Sequence, residues 1–151
     1  MDSGGPYLNA ALLCEKVLVE RDGVITAVRL VDRIIVMAVS SGVPMPEELP
    51  PSTVSFNLLV VLKSGVFKGT APIKLVIHTP PEKEIGESST DAFFEGDDRG
   101  INLISPLQFQ VTEDGLYWIS VYCAGELKTR IPLRVVYQRI SQGSMSWPQN
   151  Q

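Results

Sequence analysis

Histidine and cysteine side chains are the usual carriers of nucleophilic or acid–base catalysis, and the chain has one histidine and two cysteines. His78 ends an alternating segment and precedes Thr79-Pro80-Pro81, a setting typical of a solvated surface histidine. A catalytic base or nucleophile must be held among partner groups. Cys14 and His78 could in principle form a thiol–imidazole pair, but no spacing in the sequence favours it. We therefore expect a non-enzymatic protein without catalytic residues.

The two cysteines, Cys14 and Cys123, lack the close spacing of a metal site and could form at most one disulfide. The first six residues contain no basic region followed by an apolar run, so they predict no secretory signal. No apolar run reaches the roughly 18 residues that indicate a membrane span. We expect a cytoplasmic protein with no membrane contact, in which both thiols stay reduced and buried.

Residues 82–99 concentrate the acidity of the chain and are predicted to form a charged loop. Seven acids against two bases give this stretch a charge of −5, whereas the whole chain carries −4. Asp97 and Asp98, with the neighbouring Glu95, are the best cluster for a hard cation, which prefers carboxylate oxygens. They lack the ligand order of a calcium-binding EF-hand loop. The sequence therefore predicts no metal site and no cofactor.

Two adjacent aromatic residues, Phe93 and Phe94, lie within the acidic stretch. They are either an anchor packed on the core or an exposed docking element for a protein partner. Together with Asp97 and Asp98 they form our first set of candidate binding residues.

A second candidate surface is the outer face of the last predicted hairpin. Trp118 and Tyr122 on one strand are expected to lie beside Lys128, Arg130 and Arg134 on the next. Aromatic rings among bases can stack on single-stranded nucleic acid. The same residues also describe a surface on which arginine stems cover aromatic rings. The acidic pI near 5.0 favours the second interpretation, and we expect neither nucleic acid nor a membrane as a partner.

The elements that position these candidate residues are predicted to be mainly β-hairpins. Residues 11–36 predict a long hairpin turning at Asp22-Gly23 through a type I′ turn, and residues 116–137 predict another around Ala124-Gly125-Glu126. Between them, residues 54–63 are apolar on both faces, and residues 71–79 and 101–111 alternate with a period of two. Four prolines mark residues 40–53 as a crossing loop.

About seven to eight strands and no helical periodicity predict an all-β fold, an antiparallel immunoglobulin-like β-sandwich. A single domain is expected over residues 8–140, between flexible ends at 1–7 and 141–151. The segment Asp114-Gly115-Leu116-Tyr117 is similar to the tyrosine corner of immunoglobulin-like domains, although Ile119 stands where antibodies have a cysteine.

The first hairpin also resembles the opening of a known family. Its segments are Ala11-Leu12-Leu13-Cys14, Asp22-Gly23-Val24-Ile25 and residues 28–34. They are similar to the bacterial domain-of-unknown-function family 6941, except that Val31-Asp32 replaces a Phe-Asp-like pair. The closing segments, residues 114–117 and 130–133, are similar too, so the resemblance spans residues 8–137. It implies a bacterial, cytoplasmic β-sandwich and transfers no catalytic residue.

From these patterns we expect a protein-interaction or structural module that acts through its loops or a sheet edge, on a protein partner or by self-association. The alternative is a module that binds a ligand or single-stranded nucleic acid on the outer face of the last hairpin.

Overall fold

The computed structural model describes residues 4–40 and 51–141. Within them the chain forms nine strands and no helix. The strands are β1 (Tyr7–Val19), β2 (Ile25–Leu30), β3 (Arg33–Ser40), β4 (Ser52–Lys63), β5 (Lys68–His78), β6 (Glu84–Glu95), β7 (Gly100–Val111), β8 (Gly115–Cys123) and β9 (Glu126–Ser141). The all-β prediction is confirmed. The predicted count of seven to eight strands is wrong, because the acidic stretch contributes a strand of its own.

The strands form two sheets, ordered β2-β1-β4-β7 and β3-β9-β8-β5-β6. One of them curls into a half-barrel. All ladders are antiparallel except that of β3 with β9, which runs parallel from Arg33 opposite Arg134 to Ser40 opposite Ser141. The prediction of a wholly antiparallel arrangement is therefore wrong. Two parallel strands are not joined by a tight turn, so no short-range sequence pattern predicts their pairing.

Both predicted hairpins are present, and the second turns where it was predicted. The prediction that the first extends to residue 36 is wrong, because its pairing ends at Leu30 and residues 33–36 belong to β3 in the other sheet. Its turn also differs from the predicted type I′. In the first, the Gly23 amide donates to the Glu20 carbonyl at 2.9 Å, and positive φ within this described turn is confined to Gly23, at 84°. This is the longer type of hairpin loop that ends in one left-handed glycine. In the second, both Ala124 and Gly125 have positive φ, 52° and 78°. The type I′ signature therefore lies at the second hairpin.

The core lies between the two sheets. Alternate side chains of β4, among them Phe56 and Val60, meet alternate side chains of β5 and β8, among them Ile73 and Ile119. Tyr117 is almost fully buried, and its hydroxyl donates to the Glu113 carbonyl at 3.0 Å. Fully burying one such aliphatic or aromatic side chain stabilises the fold by about 1.5–3 kcal/mol.

The acidic stretch is mostly strand, so the prediction of a charged loop over residues 82–99 is wrong. β6 pairs with β5 from Glu95 opposite Lys68 to Glu84 opposite His78. Its residues are exposed on both faces over most of its length. Because neither face is regularly apolar, the period-two pattern that identifies a strand is absent.

Several expectations fall on residues outside this description. Parts of the predicted flexible ends lie outside the described residues, namely residues 1–3 and 142–151. The same holds for residues 41–50 of the proline-rich crossing. Within residues 4–40 and 51–141, no helix is long and apolar enough to cross a membrane.

Candidate functional site: a slot between two strand edges

Strands β6 and β7 follow one another in the chain, yet each is the last strand of a different sheet. β6 pairs only with β5 and β7 only with β4 among the described strands. Two cavities of about 190 and 210 Å³ lie between β6 and β7, and both are lined by Leu75, Ser88 and Pro106. The two cavities are therefore adjacent, and we call them together the slot.

The floor of the slot is apolar. Leu75 from β5 and Leu107 from β7 are at most 6% exposed and belong to the core. Ser88 and Thr90 line the β6 side, opposite Leu75 and Ile73 in the β5 ladder. They point to the same face as these core residues, yet both are exposed. Small hydroxyl residues at inward positions of an edge strand are the signal by which this site could have been found.

The opposite face of β6 carries a row of carboxylates at every fourth residue: Glu87, Asp91 and Glu95. Glu87 accepts an ion pair from Lys74 at 3.2 Å, and Glu95 accepts one from Arg99 at 2.9 Å. The hydrogen bond to Glu95 raises the pKa of Arg99 above its ordinary value. Asp91 has no ion-pair partner among the described residues. The acidic row therefore has one carboxylate to offer directly to a binding partner.

Of the two adjacent aromatic residues, one is packed in the core and the other is exposed. Phe94 is fully buried, and its ring meets that of Phe67 edge to face, with centroids 5.6 Å apart at 77°. Phe93 points to the other face of β6, beside the acidic row, and is 59% exposed. Phe94 anchors the strand, whereas Phe93 is available for contact.

Asp97 and Asp98 belong to the turn that joins β6 to β7. Both are exposed and have positive φ, 53° and 54°. The Asp98 amide donates to the Gly65 carbonyl at 3.0 Å. The Ser64 hydroxyl lies 3.0 Å from the Gly96 carbonyl and 2.9 Å from the Arg99 carbonyl. Among the described residues, no three acidic, histidine or cysteine side chains are grouped as metal ligands would be.

The outer face of the β8–β9 hairpin is engaged within the molecule. The Arg130 guanidinium lies 4.8 Å from the centre of the Trp118 ring and 3.5 Å from a carboxylate oxygen of Glu82. Tyr122 is covered by the ammonium of Lys74, at 5.9 Å, and not by the bases of β9. Lys128 pairs with Glu126 at 3.4 Å, and its side chain is only 10% exposed. Arg134 lies farther along β9, opposite Leu116.

The histidine and the cysteines lie apart. Cys14 is on β1 in the first sheet, and His78 ends β5 in the second. Both thiols are free and buried, and burial raises the pKa of Cys14 and of Cys123. Nδ1 of His78 is buried without a hydrogen-bond partner among the described residues. No hydrogen bond joins Cys14 to His78, so the thiol–imidazole pair considered from the sequence is not formed.

Comparison with known proteins adds no function to this geometry. A scan against models of protein families finds none that matches the chain. A search of the curated proteins likewise finds no match.

Proposed function

We propose that the protein is a non-enzymatic interaction module that binds an extended segment of a partner protein along the free edge of β6. One observation carries the proposal: β6 is twelve residues long and pairs on one side only within the described chain. Its other side presents unpaired backbone donors and acceptors, which are a template for an added strand. The slot beside that edge provides space for the side chains of such a strand.

β6 suits this role better than β7. Pro106 lies in the middle of β7, opposite Asn57, and has no backbone N–H to donate. Prolines are found on edge strands at positions that face away from the ladder, where they block further pairing. β6 contains no proline. It therefore has a donor at every position, and β7 does not.

The acidic row argues for a partner of different sequence over a second copy of the chain. Two β6 strands paired around a two-fold axis at Ser89 would place Glu87 opposite Asp91. Like charges directly opposite each other destabilise a sheet. The carboxylates thus discourage self-pairing, which is a common use of charge at sheet edges.

The proposal assigns no nucleic-acid binding to the outer face of β8 and β9. Arg130 and Lys74 each contact both an aromatic ring and a carboxylate there. A base stacked on that face of Trp118 would have to displace the Arg130 guanidinium from the ring.

We also propose that the fold is a nine-stranded variant of the immunoglobulin-like sandwich. The support is Tyr117, whose hydroxyl bonds to the backbone four residues upstream, as in a tyrosine corner. Membership of the bacterial family 6941, with a cytoplasmic location, is part of the same proposal. It is supported by the resemblance of segments that lie on β1, β2, β8 and β9 and at the start of β3.

The test is selection of extended peptides from a random display library, followed by amide hydrogen exchange of the protein with the best binder. We expect protection at alternate residues of β6, because every second amide of an edge strand points away from its ladder. Binders that protect the outer face of β8 and β9, or the turns alone, would overturn the proposal.

A further inference from the structure

We infer that the slot and the acidic row together select the sequence of the bound strand. The preferred segment alternates apolar residues, which enter the slot, with lysine or arginine residues, which face the carboxylates of β6. This inference rests on the proposed binding along β6 and specifies which peptides that edge accepts.

The alternation follows from the geometry of an added strand. A strand that pairs with β6 continues its sheet, so its side chains point alternately to the two faces that β6 already has. One face carries Ser88 and Thr90 and opens into the slot. The other carries Glu87, Asp91 and Glu95. Every second residue of the bound segment therefore points towards the slot. The residues between point to the face that carries Asp91, the one carboxylate of the acidic row without an ion-pair partner among the described residues.

The slot can hold branched aliphatic side chains. Its two cavities measure about 190 and 210 Å³. An apolar cavity of about 150 Å³ holds a benzene molecule. The floor side chains Ile73, Leu75 and Leu103 offer only carbon atoms for contact. The lining also includes polar residues, among them Ser88, Thr90 and Ser105, so the preference for an apolar side chain comes from the floor alone.

The outer face favours bases. Asp91 is exposed and has no ion-pair partner among the described residues, and Glu87 and Glu95 lie four residues away on either side. Phe93 lies between Asp91 and Glu95 on this face and is 59% exposed. A guanidinium or ammonium group opposite Asp91 could also contact the face of that ring. Charge complementarity therefore selects a basic segment and rejects an acidic one.

Three synthetic decapeptides test the selection: one alternating lysine with valine, one alternating glutamate with valine, and one with the residues of the first in shuffled order. We expect the alternating lysine–valine peptide to bind about tenfold more tightly than either other peptide by calorimetric titration, with β6 amides protected from exchange. Its affinity should fall as salt is added. Two further versions of this peptide carry N-methyl groups, one on the lysine amides and the other on the valine amides. One of the two should not bind, because only every second amide of an added strand faces β6.

Two variants separate the charge from the slot. Asp91→Lys is expected to weaken binding of the lysine–valine peptide about fivefold. Ser88→Phe, which fills the slot, should weaken it to a similar or greater degree, about tenfold. Glu20→Lys makes the same charge change at an exposed site beside the β1–β2 turn and should leave the affinity unchanged. Thermal unfolding of each variant checks that the fold is retained.

The outcomes distinguish this inference from the proposed function. Equal binding of the lysine–valine and shuffled peptides, with β6 protected by both, would overturn the inference and leave strand addition in place. If the glutamate–valine peptide binds with the same affinity as the lysine–valine peptide, the inferred selection by charge is wrong. If no selected or synthetic peptide protects β6, both the inference and the proposed function are wrong.

Discussion

Two pairs of consecutive strands, β6–β7 and β8–β9, are joined by short turns but end in different arrangements. β8 and β9 stay paired from Cys123 opposite Glu126 to Gly115 opposite Val135. β6 and β7 separate into different sheets. The β8–β9 turn has two left-handed residues, whereas three consecutive residues of the β6–β7 turn, Gly96 to Asp98, have positive φ of 80°, 53° and 54°.

The difference lies in what each turn is bonded to. The β6–β7 turn is held by the turn between β4 and β5, since Ser64 bonds to Gly96 and Arg99 and the Gly65 carbonyl accepts from Asp98. β4 and β5 also belong to different sheets. The bonded turns therefore place β7 beside β4 in one sheet and β6 beside β5 in the other. Two corner turns locked together thus hold the strands apart and create the slot. The β8–β9 pair needs no such lock, because its ladder begins at its own turn.

Loss of the Phe94 ring should have the largest effect on the separated pair. We expect Phe94→Ala to lower the free energy of unfolding by about 3–5 kcal/mol, because it removes a fully buried ring that anchors β6 on Phe67. Phe93→Ala, one residue away, should change it by less than about 0.5 kcal/mol. Urea denaturation of both variants makes the comparison, and equal losses would contradict the assignment of anchor and exposed residue.

The lock between the two corner turns should have the next largest effect. Ser64→Ala removes a buried hydroxyl whose one hydrogen lies within reach of the Gly96 and Arg99 carbonyls, and it keeps the bond from the Ser64 amide to the Arg99 carbonyl. We expect a loss of about 1–3 kcal/mol in the free energy of unfolding. Amide exchange should also accelerate in β6 and β7 more than in β8 and β9. Ser89→Ala, at an exposed position of β6, is the matched control. Uniform acceleration across all four strands would show that Ser64 does not act locally.

On the paired side, the Tyr117 hydroxyl should contribute less. Tyr117→Phe keeps the buried ring and removes the bond to the Glu113 carbonyl, for an expected loss of about 1 kcal/mol. Urea denaturation at pH 7 measures it. A loss as large as that of Phe94→Ala would mean that the hydroxyl, and not the ring, holds the β7–β8 connection.

The same residue gives an alkaline pH dependence. Burial raises the pKa of Tyr117 above its ordinary value of 10.0 and that of Cys123 above 9.0. As the pH rises through these ordinary values, the unfolded chain loses protons that the folded chain keeps, so stability falls. We expect the free energy of unfolding to begin falling near pH 9, and to fall less steeply above pH 10 in Tyr117→Phe. Identical slopes in the two proteins would contradict the buried state of this phenol.

The β8–β9 turn should give the smallest effect, and a stabilising one. Ala124 has φ of 52°, a conformation that costs an alanine free energy and that asparagine adopts more readily. Ala124→Asn creates the Asn-Gly pair preferred in type I′ turns, and we expect a gain of about 0.5 kcal/mol. A small rise in melting temperature measures it, and a fall would contradict the turn geometry.

The strands that were predicted correctly from the sequence are those whose apolar alternation matches a face packed on the core. β5 and β8 have one regularly apolar face, and their alternation was visible because each packs that face on the core. The β6 strand and the slot were missed for a related reason. Ser88 and Thr90 are polar, exposed residues at inward positions of β6, so no apolar row marks the strand.

By itself, the sequence determined the all-β class, both hairpins and the two candidate interpretations of Phe93 and Phe94, because turn residues and side-chain periodicity act over a few positions. Only the tertiary structure decided which ring is buried, since that depends on the register that sets Phe94 opposite Gly69. It also decided the parallel pairing of β3 with β9 and the separation of β6 from β7. These features depend on contacts between residues far apart in the chain, which no local spacing encodes.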